Sequence, residues 1–74
     1  MNRYKLELKL WQISELERQF KELGYATWNE FVVKFDTKMY FIEKFECMDG
    51  QNPQFSVVEG YESLEYALDD LVDM

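Results

Sequence analysis

The side chains of this sequence that could carry chemistry are carboxylates. Fifteen Asp and Glu stand against eight Lys and Arg, and histidine is absent. Without an imidazole, the commonest general base and metal ligand is missing. Ser14, Ser56 and Ser63 have no evident activating base, and two of them sit where helix caps are expected. Gly24, Gly50 and Gly60 lie far apart and each ends an element, so no glycine-rich loop forms to cradle a phosphate. Asp69 and Asp70 are neighbours on a helix and project in different directions. Asp49-Gly50-Gln51-Asn52 lacks the distal bidentate glutamate of a calcium loop. Cys47 is a lone thiol, expected as a small buried hydrophobe and compatible with a reducing compartment. The reading is a non-enzymatic chain with no catalytic set, no cofactor and no metal.

What is unusual is where the charge sits. From Met1 to Lys44 eight basic and seven acidic side chains leave +1, whereas Phe45 to Met74 holds eight acids and no base. The whole net charge of −7 therefore belongs to the last thirty residues. Such a surface repels phosphate and anionic lipid and attracts basic surfaces over a screened reach of ~8–10 Å. Direct nucleic-acid or membrane binding is disfavoured, and a protein with a basic surface is the expected partner. The acidic candidates for that contact are Glu59, Glu62, Glu65, Asp69, Asp70 and Asp73.

These acids need elements to hold them. Seventy-four residues make a single domain over 1–74 with a small core, so stability is expected to be a few kcal/mol. Thirteen aromatics compensate for the absence of disulfide and zinc. The opening MNRYKLELKL has no long apolar run, so it reads as neither a signal nor a span, and a cytoplasmic location is the default.

Tyr4 to Trp11 alternates apolar and charged residues, which argues for a strand. A single helix from about Arg3 to Leu23 is the rival, and it carries two apolar stripes where one is usual. The capping box Ser14-x-x-Glu17 favours a helix starting at Ser14. Gly24 then stops that helix.

Tyr25 to Asn29 reads as a connector. Glu30–Asp36 and Met39–Cys47 read as a hairpin around Asp36-Thr37-Lys38-Met39, with a type I turn and a register uncertain by one residue. Glu43 breaks the alternation of the second strand, which suggests a bulge or an edge position. After the turn signals of Met48–Gln54, a strand over Phe55–Glu59 and a helix capped by Ser63 complete the chain.

The fold class is α+β: an antiparallel sheet of three to four strands with two helices on one face, in the order β-α-β-β-β-α or α-β-β-β-α. The expected core face is Phe31, Val33, Phe35, Phe41, Phe45, Phe55 and Val57 under Leu16, Phe20, Leu23, Leu64, Leu68 and Leu71. That leaves Val32, Tyr40, Ile42 and Val58, with Trp28, as an uncovered apolar face, and the alternative to a basic partner is a small homodimeric module that uses this face as its interface.

The order α-β-β-β-α resembles the double-stranded-RNA-binding domain in topology. That family grips phosphates with lysines at the start of its last helix, and Tyr61-Glu62-Ser63-Leu64-Glu65 is acidic there, so RNA binding does not carry over. In size and charge the chain resembles small phage- or mobile-element-encoded inhibitors of host nucleases. That resemblance implies a carboxylate face that mimics nucleic acid, of the anti-CRISPR or anti-restriction kind.

Overall fold

Nothing between Arg3 and Leu23 interrupts a helix: the segment has no glycine, no proline and no run of β-branched residues. In the computed structural model, which describes residues 3–74, it forms the single helix α1 (Arg3–Leu23), about 31 Å long. The strand expected over Tyr4–Trp11 is therefore helix, and the order with the long first helix is the one found. Ion pairs Arg3–Glu7 (3.1 Å) and Arg18–Glu22 (2.9 Å), each four residues apart, support its exposed side, and Arg18 also contacts Glu15. Ser14 lies inside α1 rather than at its start. Gly24, at φ +83°, ends the helix, and its N–H donates to the Phe20 carbonyl at 2.9 Å.

Four antiparallel strands follow as a meander in the spatial order β1-β2-β3-β4. They are β1 (Tyr25–Trp28), β2 (Phe31–Asp36), β3 (Met39–Asp49) and β4 (Asn52–Tyr61). The connector expected over Tyr25–Asn29 thus supplies an edge strand. Helix α2 (Leu64–Leu71) closes the chain, with Ser63 in extended conformation at its N-cap. The fold is α+β, an antiparallel four-stranded sheet with two helices. No helix among the described residues is long and apolar enough to cross a membrane.

The β2–β3 turn decides which side chains are buried. Thr37 and Lys38 both adopt positive φ (49° and 70°), a two-residue turn of left-handed residues rather than the expected type I turn. Its register sets Asp36 opposite Met39, Phe35 opposite Tyr40, Val33 opposite Ile42 and Phe31 opposite Lys44. Odd residues of β2 therefore share a face with even residues of β3. The helices cover that face. Leu16, Ala26, Val33, Ile42, Ala67, Leu68 and Leu71 form the core cluster, and Phe20, Trp28, Phe31, Tyr40, Tyr61 and Leu64 pack against it.

This corrects the sheet-face assignment by one residue in β3. Tyr40 and Ile42, expected on the uncovered face, lie beneath the helices, and Ile42 is fully buried. Trp28 packs against the same core. Phe41, Phe45, Phe55 and Val57, expected in the core, share the opposite face with Val32 and Lys34 through the pairs Lys34–Phe41, Val32–Glu43, Glu43–Val57 and Phe45–Phe55. Leu23 is exposed as well.

Register shifts occur between Ile42 and Glu43 and between Phe45 and Cys47. The first leaves Val58 as the extra residue of β4, and the second leaves Glu46 as the extra residue of β3. Glu43 thus sits beside a bulge on the open face, where its carboxylate lies 3.8 Å from the Lys34 ammonium. Cys47, expected to be buried, is exposed where β3 runs on toward Asp49.

The register gives a direct test. Ile42→Ala is expected to cost ~2–5 kcal/mol in urea denaturation, while Val57→Ala on the open face stays within about 0.5 kcal/mol. Lys38→Gly removes a left-handed side-chain conformation and is expected to stabilise the chain by about 1 kcal/mol in the same assay.

Candidate partner-binding groove

Two helices laid on one sheet face leave a furrow between them, and its lining follows from helical spacing. On α1, Leu10, Ile13, Ser14 and Glu17 recur at three- and four-residue intervals and face α2. On α2, Ala67, Leu68 and Leu71 turn into the core, so Glu65, Tyr66 and Asp69 are left at the furrow's margin. The groove holds about 400 Å³. Its floor is apolar, and Glu17, Glu65 and Asp69 bring three carboxylates to it with no basic side chain in the lining. Tyr66 stands beside them with 70% of its surface exposed.

One lysine sets the spacing of the helices. Lys9 reaches from α1 to α2, with Nζ at 2.8 Å from Asp73 Oδ2 and 3.1 Å from Asp69 Oδ1. Its side chain is only 17% exposed, so the aliphatic stem is covered while the ammonium meets the carboxylates. The hydrogen bond to Asp73, followed by that to Asp69, raises the Lys9 pKa above its ordinary value. Tyr61 donates its hydroxyl to Asp70 Oδ2 at 2.6 Å. Burial first, and that hydrogen bond second, push the Tyr61 phenol upward. On α1, the hydrogen bond from Arg18 holds the Glu15 carboxyl below its ordinary range.

The six acids singled out in the sequence therefore separate. Asp69 and Asp73 are bridged by Lys9, and Asp70 is held by Tyr61. Glu59 lies on β4 and accepts from the Gly60 N–H at 3.2 Å. Glu62 precedes α2, and only Glu65 and Asp69 reach the groove. Glu17 was legible as a surface acid but not as a groove residue, because the long α1 was needed to bring it opposite α2. Among the described residues, neither Glu17 nor Glu65 has an ion-pair partner within the chain.

The five residues expected to form a sheet-face interface do not come together. Trp28, Tyr40 and Ile42 belong to the helix-covered side. Val32 is buried on the open side, and Val58 occupies the bulge. The open face has its own hollow of about 540 Å³, larger than the groove, flanked by Tyr25, Val32, Phe45 and Phe55. Its charges are already committed. Lys34 faces Glu43 and stands 5.1 Å from the centre of the Phe55 ring, and Glu30 pairs with Lys44. The smaller groove has uncommitted carboxylates in Glu17 and Glu65 and an exposed aromatic in Tyr66, which makes it the stronger candidate.

Comparison with protein-family models, with curated proteins and with solved structures finds no match.

The Lys9 clamp has a signed pH dependence. Its pKa is raised by partners it gains on folding, so its stabilising contribution is complete below about pH 10.4 and is lost as the pH climbs through the folded value. Lys9→Met keeps the apolar stem and removes the charge. Thermal melts should show the parent above this variant at neutral pH, with the gap closing only in the alkaline range.

Proposed function

We propose that this chain is a non-enzymatic binding module whose α1–α2 groove receives a basic, amphipathic segment of another protein. The observation that carries this reading is the groove's composition: an apolar floor rimmed by Glu17, Glu65 and Asp69, with an exposed Tyr66 beside them. An arginine-bearing segment satisfies each part. Guanidinium groups pair with Glu17 and Glu65, which Lys9 leaves uncommitted, one can stack on the Tyr66 ring, and apolar side chains fill the floor over Leu10 and Ile13. The surplus of acid over residues 45–74 adds a long-range attraction that speeds encounter.

Basic segments of this kind are presented by proteins that grip phosphate backbones. A nuclease or another nucleic-acid-binding protein is thus the partner class, and occupation of its nucleic-acid site is the activity. The preference for arginine over lysine follows from planar, bidentate pairing and ring stacking.

The test is affinity for an arginine- and leucine-bearing helical peptide, read by fluorescence anisotropy between ~50 and ~300 mM salt. Binding should weaken with salt. The Glu17→Gln, Glu65→Gln double variant and Tyr66→Ala should each lose about tenfold, while Asp49→Asn at the β3–β4 tip changes little. Equal binding by all variants, or affinity insensitive to salt, removes the groove as the site.

A further inference from the structure

The sheet ends in two edges, β1 and β4, and the chain finishes them differently. Strand β1 is four residues long and lies beside α1, where Gln19 Oε1 accepts from the Thr27 N–H at 3.2 Å. Strand β4 is ten residues long, and residues 52–59 are exposed throughout. Lysine, proline and bulges are the usual protection of such an edge. Pro53 and the bulge at Val58 protect its two ends, whereas residues 54–57 between them carry no charge and no proline.

Register decides which backbone groups of β4 face outward. Asp36 and Met39 flank the two-residue turn, so they exchange both ladder bonds, and the bonding direction alternates along β3 from there. Odd residues of β3 bond toward β2, and Phe45 accordingly donates its N–H to the Glu30 carbonyl at 2.8 Å. Even residues bond toward β4, where Lys44 is opposite Ser56. Phe55 and Val57, on either side of Ser56, therefore aim their N–H and C=O away from the sheet. Among the described residues, no hydrogen bond from the chain reaches them there.

We propose that this edge of β4 takes an extended segment of another protein as an added strand, one that alternates apolar and basic side chains. Outward donors and acceptors two residues apart match the backbone of a strand and not that of a helix. The alternation follows from what flanks the edge on each face. On the open face the added side chains meet Phe55 and Val57, with the apolar hollow lined by Phe45 and Phe55 behind them. On the helix side they meet two carboxylates. Ser56 Oγ donates to Glu46 Oε1 at 2.5 Å, which draws Glu46 over β4. Glu59, opposite the buried Ile42, accepts from the Gly60 N–H and so holds its carboxylate at the outer edge.

Charge then separates a foreign strand from a second copy. Among the described residues, neither Glu46 nor Glu59 has an ion-pair partner, and the nearest bases, Lys34 and Lys44, are answered by Glu43 and Glu30. A second copy's β4 would set its own Glu46 and Glu59 against this pair, and residues 45–74 offer no base to offset them. A basic segment pairs with both carboxylates while its backbone completes the ladder. The edge lies apart from the α1–α2 groove, so this contact does not depend on what the groove binds.

The test is an amide NMR titration of the full chain with a short, end-blocked peptide of alternating valine and arginine, up to ~1 mM. The Phe55 and Val57 amides should shift and gain protection from hydrogen exchange, while Tyr66 and Asp69 at the groove stay fixed. N-methylating one alternate set of the peptide's amides, the valines for antiparallel addition or the arginines for parallel, should weaken binding at least about tenfold, and the other set should not. Val57→Pro removes an outward N–H and leaves the β3–β4 ladder whole, so it should cost a similar factor with circular dichroism unchanged. The double variant Glu46→Lys, Glu59→Lys should do the same through charge, whereas Glu17→Gln with Glu65→Gln changes nothing. No shift at ~1 mM overturns the proposal, as does binding that tolerates N-methylation of both sets. Phe55 and Val57 amides that move with protein concentration alone would make a second copy the occupant and overturn it too.

Discussion

The turn at Thr37–Lys38 is the constraint on which the rest of the fold depends. Strand β3 is apolar on both faces, with Tyr40 and Ile42 on one side and Phe41 and Phe45 on the other. Hydrophobicity alone cannot choose between them, because side chains alternate with a period of two and a slip of one residue exchanges the faces. Two residues at positive φ settle the choice by setting Val33 opposite Ile42. Once that pair is in place, Ala26 follows on β1, and Leu16, Ala67, Leu68 and Leu71 have a surface to cover.

The sequence was legible where a residue type has one physical meaning. Gly24 ended α1 at positive φ, and the amphipathic stripe of α2 buried Leu68 and Leu71, whereas of the two expected serine caps Ser63 stands at the N-cap of α2 without a side-chain cap bond and Ser14 lies inside α1. It misled where two patterns overlap. Tyr4–Trp11 satisfies a period of two and also lies on a helix with two stripes, and helix propensity over twenty-one uninterrupted residues won. Neither Thr nor Lys signals a left-handed turn as Asn-Gly would, so the β2–β3 register was not encoded in recognisable turn chemistry. Glu43 held the warning: a carboxylate in the expected core face belonged with Lys34 on the open side.

The acidic segment also changed meaning. As a sequence it was a block of equivalent carboxylates. In the fold, Lys9 and Tyr61 occupy Asp69, Asp73 and Asp70, so much of the acid on α2 serves to attach that short helix to α1 and β4. Exposed pairs of this kind contribute little stability individually. Their role is positional, since the separation of the two helices defines the groove. The carboxylates left uncommitted at the groove are fewer than composition implies, and Glu17, from the other half of the chain, joins Glu65 there.

Strands β3 and β4 run for eleven and ten residues, whereas β1 has only four. The sheet is therefore a wedge with a protruding hairpin, and the molecule measures 44 × 25 × 22 Å. A body nearly twice as long as it is wide drags more solvent than a sphere of equal mass. In gel filtration a single copy will elute ahead of its 9.0 kDa mass and imitate a larger species. The hairpin thus makes hydrodynamic size a poor gauge of stoichiometry for this chain, and mass itself must be weighed.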